Sequence, residues 1–222
     1  MTPGSRGYLR TIGIDDGYFP IWFKERRFKT LLVGILCDGL APVDVKAAEI
    51  TVDGFDGSKA ALTILEKLIP RSGGVKAIFI DGVTSAGFNV IDPDEIFQSI
   101  KVPVIVVFKH NLKMDKVEKA LRRHFRDWGE RYSVIDKVYR RSKEVITRWR
   151  RLRLSCVGIN CYEASALVSN LQTVSPYPEP LRLSDMIASG LTRNSRLLEL
   201  INKGRREERQ GCVKSSSFSE AY

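Results

Sequence analysis

Histidine is almost missing from this chain, with two in 222 residues, and its four cysteines (Cys37, Cys156, Cys161 and Cys212) form no C-x-x-C pair. Zinc-ligand spacing is therefore absent. A disulfide framework is unnecessary as well, because a fold of this length buries roughly 70 to 75 % of its unfolded surface. Long apolar runs are lacking too: the longest, Val102 to Phe108, is far short of the ~20 residues that cross a bilayer. No charged-then-apolar leader opens the sequence, so a cytoplasmic location with reduced thiols and no membrane partner is expected. Internal repeats and long linkers are also missing, and the predicted organisation is one domain over residues 1–203. The charged, serine-rich stretch 204–222 is predicted to be a disordered tail.

Negative charge is in deficit, and the deficit is local. The chain has 36 Lys+Arg against 26 Asp+Glu, and residues 109–153 hold 16 Lys+Arg against 6 Asp+Glu. One segment supplies the whole excess. Within it Val117, Ala120, Leu121, Phe125 and Trp128 recur at helical spacing, which leaves Lys116, Lys119, Arg122, Arg123 and Arg126 on the other side. A solvated surface is one reading, but confinement to one segment favours a polyanion partner. A second cluster, RWRRLRL (148–154), alternates arginine with apolar residues as it enters an apparent strand.

The apolar pattern predicts an α/β fold. Strands are expected over 8–15, 30–37, 46–52, 75–80, 102–108 and 152–159, and helices over 58–69, 93–99, 162–171 and from about 181, besides the basic helix. The run VKAIFI (75–80) is of the kind buried on both sheet faces. Residues 129–151 read as less regular. A three-stranded meander followed by parallel strands, with helices on both faces, puts the fourth strand beside the first in parallel, because such crossovers are right-handed. Their carboxyl ends then meet at the point where strand order reverses, where open α/β sheets bind ligands.

Asp15, Asp53 and Asp81 end the first, third and fourth strands, and Asp56 precedes the helix between the last two. Asp16, Asp53, Asp56 and Asp81 each precede glycine, and Asp-Gly marks turns whatever the chemistry; Asp56 also suits a helix cap. Convergence favours a further reading. Carboxylates gathered at one sheet end repel one another unless they share a cation, and Mg²⁺ or Mn²⁺ suits such hard oxygen ligands. Two such ions about 4 Å apart support phosphodiester hydrolysis. Lys109 is a candidate for the scissile phosphate.

GIDDG (13–17), ITVDG (50–54), FIDGVTSAGFNVID (79–92) and PEPLRLSDMIASGL (178–191) together resemble the archaeal endonuclease dU family. The resemblance spans about Arg6 to Asn202. It implies an endonuclease V-like, ribonuclease H-like fold and metal-dependent cleavage of DNA at or near a deaminated base, deoxyuridine by the family's name, in DNA repair. Asp15 and Asp81 match carboxylates of the endonuclease V active site, with Asp56 or Asp53 standing where that enzyme has a glutamate. The tyrosine–proline wedge and late histidine of endonuclease V have no counterpart. Thr84, Ser85 and Asn89 are candidates to contact an extruded base. Two alternatives remain open: a nuclease of the same fold acting on RNA or a branched junction, and a non-catalytic nucleic-acid-binding module whose aspartates only make turns. A phosphoaspartate hydrolase fits less well, since GIDDG lacks D-x-D spacing.

Overall fold

The computed structural model describes residues 9–71 and 73–203. Tyr8 and the stretch 204–222, with the tail expectation attached to it, lie outside the described residues. One seven-stranded sheet organises what is described, in the order β3-β2-β1-β4-β7-β9-β8. Its elements are β1 (Arg10–Asp16), β2 (Lys29–Asp38), β3 (Ala41–Thr51), β4 (Val75–Asp81), β7 (Val104–Phe108), β8 (Lys143–Ile146) and β9 (Arg151–Val157). A small hairpin, β5 (Thr84–Ser85) with β6 (Asn89–Val90), folds the loop after β4. The helices are α1 (Phe23–Arg26), α2 (Gly57–Leu68), α3 (Pro93–Ile100), α4 (Met114–His124), α5 (Trp128–Arg141), α6 (Cys161–Leu171), α7 (Glu179–Thr192) and α8 (Ser195–Ile201).

The meander forms as expected, with β1–β2 and β2–β3 antiparallel. β4 then crosses over to lie parallel to β1 on its other edge, and β7 lies parallel to β4. Alternation along β4 sorts the two layers: Ile78 and Ile80 join a core with Ala61, Ile64 and Leu65 of α2, whereas Ala77 and Phe79 pack with Val168 of α6 and Leu181 of α7. Val106 and Phe108 of β7 extend the first layer to α4 and α5. Helices therefore cover both faces.

Three expectations need correction. The apolar stripe from Val117 to Trp128 is not one helix: α4 stops at His124, Phe125 is extended (φ −132, ψ 133), and Trp128 opens α5. The supposedly irregular stretch is α5 followed by the edge strand β8. Its helical stripe is hard to see because one inward position holds Arg131, a charge with 1 % exposure among Ile135 and Val138. The Arg131 guanidinium donates to the carbonyls of Gly54 (2.7 Å) and Phe88 (2.6 Å) and to the Asp127 carboxylate (2.8 Å), so it clamps two loops. The third strand also starts at Ala41, five residues before the predicted edge.

α7 lies directly on β1, and two glycines permit it. A Cβ on Gly13 would sit 2.2 Å from the backbone C and O of Pro180, and one on Gly17 would sit 2.4 Å from Thr192 Oγ1. Main chain therefore touches main chain at the start of α7, which fixes the helix over the end of the strand.

Candidate active site

The register that pairs Ile14 with Ile80 brings the next residues, Asp15 and Asp81, to the carboxyl ends of neighbouring parallel strands about 4.8 Å apart. Ile14 and Ile80 point into the α2 layer, so both carboxylates point to the face that α7 covers. Asp15 is 6 % exposed, and its Oδ1 accepts the Asp16 N–H at 2.9 Å. Burial, followed by the charges of Asp81 and Asp16, holds its carboxyl well above the usual range, offset partly by Lys109. Asp81 is likewise raised, by burial against the opposing pull of Lys109, whose ammonium is ion-paired with it. Burial works against the Lys109 charge, but Asp81, then Asp15 and Asp185, outweigh it and hold that ammonium protonated. The cluster is thus two desolvated carboxylates in hydrogen-bond contact with each other, one of them ion-paired with Lys109.

Asp185, on α7, was not anticipated. The packing of α7 on Gly13 and Gly17 carries it near enough for its charge to act on both Asp81 and Lys109. A single exposed acid on an amphipathic helix has no local signature; the two glycines four apart, Gly13 on β1 and Gly17 just after it, were the available sign that a backbone would dock there. Tyr177, just before α7, completes this side, with Lys109 Nζ 5.4 Å from its ring centre.

Asp16 faces the other way, where its carboxylate accepts the Ala86 N–H, and burial exceeds that help and raises its pKa to about 6. A carboxyl raised above its unfolded value stabilises the fold fully below about pH 4, and that contribution is lost as pH climbs through 6. Asn keeps the acceptor without the charge. Asp16→Asn is therefore expected to exceed the wild type in stability at pH 8 by about 1–3 kcal/mol, with the gap closing near pH 4; thermal denaturation in EDTA across that range checks it.

Several sequence candidates are not brought into this cluster. Asp56 spends its oxygens on Thr51 N (3.2 Å), Thr51 Oγ1 (2.8 Å) and Asn89 Nδ2 (2.6 Å). Asp53 accepts the Phe88 N–H at 2.8 Å and borders a separate cleft with Lys24, Phe88 and His124. Both belong to the turn that opens α2, and Phe88 and Asn89, which help to occupy them, are more than thirty residues away in sequence. Asn89 is fully buried, accepting from Gly57 N (2.8 Å) and donating to Thr51 O (2.8 Å), and Ser85 is 2 % exposed; neither presents itself to a base. Thr84 is half-buried beside them. Lys116, Lys119, Arg122, Arg123 and Arg126 are exposed as expected, with Arg122 held by Glu118 and stacked 3.8 Å over Trp128.

In donor type the cluster suits a hard divalent cation. Asp15 and Asp81 would hold it, with Asp185 the next acid whose charge acts on the cluster. Among the described residues, no group of three or more His, Cys, Asp or Glu side chains is gathered tightly enough to hold an ion as the side chains stand. Lys109 supplies the compensating charge in this arrangement. No helix among the described residues is long and apolar enough to cross a membrane.

Comparison with known proteins gives the family and the fold. The profile of a family described as endonuclease dU matches residues 8–192. A protein named UPF0215 from the archaeon Thermococcus sibiricus is 35 % identical over 184 residues, covering 82 % of this chain and 92 % of the relative. The crystal structure of a protein of unknown function from Archaeoglobus fulgidus superposes with a TM-score of 0.70 at 25 % identity, over 82 % of this chain and 97 % of that one. Endonuclease V of Ciona intestinalis, crystallised with a 24mer DNA containing an inosine followed by a ribo-adenosine, superposes with a TM-score of 0.54 at 12 % identity, over 82 % and 84 % of the two chains. The architecture is the ribonuclease H-like one of endonuclease V, as the sequence led us to expect.

Proposed function

The chain belongs to the endonuclease dU family, and from that we propose that it is a Mg²⁺- or Mn²⁺-dependent endonuclease that cuts DNA at or near a deaminated base, deoxyuridine being the base that the family's description suggests. The observation that carries this reading is the meeting of Asp15 and Asp81, both desolvated, with Lys109 at the ends of two parallel strands. Such crowding is unfavourable for folding alone, and a structural ion pair would need only one of the two acids. It is the arrangement expected of a site that trades stability for chemistry.

Asp15, Asp81 and Asp185 would hold the cation, which when bound activates water and stabilises the leaving oxygen of a phosphodiester. Lys109 turns from Asp81 towards the non-bridging oxygens of the scissile phosphate and balances charge there. Asp16 and the Ala86 N–H fix the end of β1, so the Asp15 carboxylate keeps its direction. Tyr177 backs Lys109 and limits how far it can swing. Arg131 holds the loops around residues 54 and 88 together.

The test uses labelled oligonucleotides carrying deoxyuridine, deoxyinosine or neither, as DNA and with a ribonucleotide beside the lesion, in Mg²⁺, Mn²⁺ or EDTA. Cutting of the deoxyuridine strand, dependent on the cation, is expected. Cutting that persists in EDTA removes the metal from the reading, preference for the ribonucleotide substrate moves it to RNA, and salt-sensitive binding without turnover leaves a binding module.

A further inference from the structure

The hairpin between β8 and β9 faces the end of β7 across an open cleft of about 230 Å³, lined by Lys109, His110, Asn111, Glu144, Arg150, Arg151 and Arg153 among others. Four cations therefore meet one acid. Glu144 is already taken by Arg151, at 3.0 Å. The remaining arginines are held in place by neutral acceptors: Arg150 Nη2 donates to the Lys109 carbonyl (3.2 Å) and the Tyr177 hydroxyl (3.1 Å), and Arg153 donates to Asn111 Oδ1 (3.2 Å) and to Ser142 O (3.1 Å). Tyr177 and Tyr139 lie under the two guanidinium groups, 5.8 and 5.3 Å from ring centre to Cζ. Their direction is fixed and their charge is left uncompensated. The basic face of α4 differs in another way: Arg122 there is paired with Glu118, and among the described residues no hydrogen bond to a neutral acceptor fixes the direction of Lys116, Lys119, Arg123 or Arg126. Lys109 is shared: its ammonium reaches Asp81 in the carboxylate cluster while its residue forms a wall of the cleft.

We propose that this cleft seats the phosphodiester groups next to the one being cut, so that the nucleic-acid backbone runs from the carboxylate cluster over Lys109 and along Arg150, Arg151 and Arg153. The proposal rests on reading the protein as one that handles nucleic acid, and it moves the principal backbone contact from α4 to the β8–β9 hairpin. The planar guanidinium forks of Arg150 and Arg153, preset by neutral partners, suit phosphate oxygens because no carboxylate has to be displaced before the anion arrives, whereas Arg151 exchanges Glu144 for a phosphate. An isolated phosphate would satisfy one fork; a chain of them satisfies the row.

Binding in EDTA tests this without turnover. Anisotropy of a labelled oligonucleotide, followed from about 50 to about 300 mM KCl, gives the slope of log K against log[salt], which changes by about 0.7 to 0.9 per phosphate contact. Arg150→Gln/Arg151→Gln is expected to weaken binding at least tenfold and to reduce the slope by one to two contacts. Arg150→Lys/Arg151→Lys, which keeps the charge, is expected to retain most of the slope, separating charge from folding. Lys119→Gln/Arg123→Gln on α4 is expected to leave it within error, and millimolar inorganic phosphate is expected to displace little oligonucleotide. An unchanged slope in the hairpin glutamine pair, or loss confined to the α4 pair, overturns the proposal, and so does full displacement by inorganic phosphate. A wild type that shows the hairpin-dependent slope but cuts nothing refutes the nuclease reading and leaves the cleft assigned.

Discussion

Asp81→Asn is expected to lower the single-turnover cleavage rate by about 10²–10³-fold or more, the scale on which one preorganised electrostatic group acts, while the melting temperature changes little. Two opposing effects keep the fold steady. Removing a desolvated carboxylate relieves the folded state, and leaving Lys109 without its partner costs some of that back. Asp185→Asn is expected to follow with a smaller loss, about 10–100-fold, as suits the exposed one of the three acids that would hold the cation. Asp56→Ala is expected to behave in the opposite sense. Its three accepted hydrogen bonds hold Thr51 and Asn89, so stability falls by about 2–3 kcal/mol while the rate per folded molecule is maintained. Parallel kinetic and thermal measurements on the three variants check the ranking, and a rate loss in Asp56→Ala equal to that in Asp81→Asn would return Asp56 to the active cluster.

The second large effect comes from one methyl group. Gly13→Ala places a Cβ 2.2 Å from Pro180 main-chain atoms, with Leu181 N at 2.5 Å. Backbone cannot rotate out of the way as a side chain can, so α7 must lift from β1. A loss of about 3 kcal/mol or more is expected, which for a domain of this size lowers the melting point by about 6–12 °C or abolishes folding. The control is on the same helix: a Cβ on Gly190 meets nothing within 4 Å, and Gly190→Ala is expected to stabilise by about 0.5–1 kcal/mol through helix propensity alone. Thermal melts of the pair separate the packing effect from a general intolerance of α7.

How much of this was legible depended on how local each signal is. The strands were, because VKAIFI and TLLVGILC carry their burial in composition, and from strand order and crossover hand the neighbourhood of Asp15 and Asp81 followed. α5 was not, since Arg131 interrupts its apolar stripe and owes its burial to carbonyls of residues 54 and 88, which no local pattern shows. Asp53 and Asp56 looked the same as Asp15 and Asp81 in sequence, each beside a strand end. What separates them is occupancy: Phe88 and Asn89 have claimed the first two, and the second two have mainly each other and Lys109. Arg150 and Arg153 counted as charges in the sequence, but whether an arginine meets an acid or a carbonyl is decided by tertiary structure.

The contact of Gly13 with Pro180 spans most of the described chain. During synthesis the first strand must wait for residues near 180 before its outer face is covered, so the long-range closure that seals the sheet is among the last to form. Asp15 and Asp81 meet through strand pairing within residues 10–81, whereas Asp185 joins them only as this closure is made. A ribosome-bound fragment ending before α7 thus holds Asp15 and Asp81 without Asp185, and on the proposed reading cleavage is expected only from the finished fold.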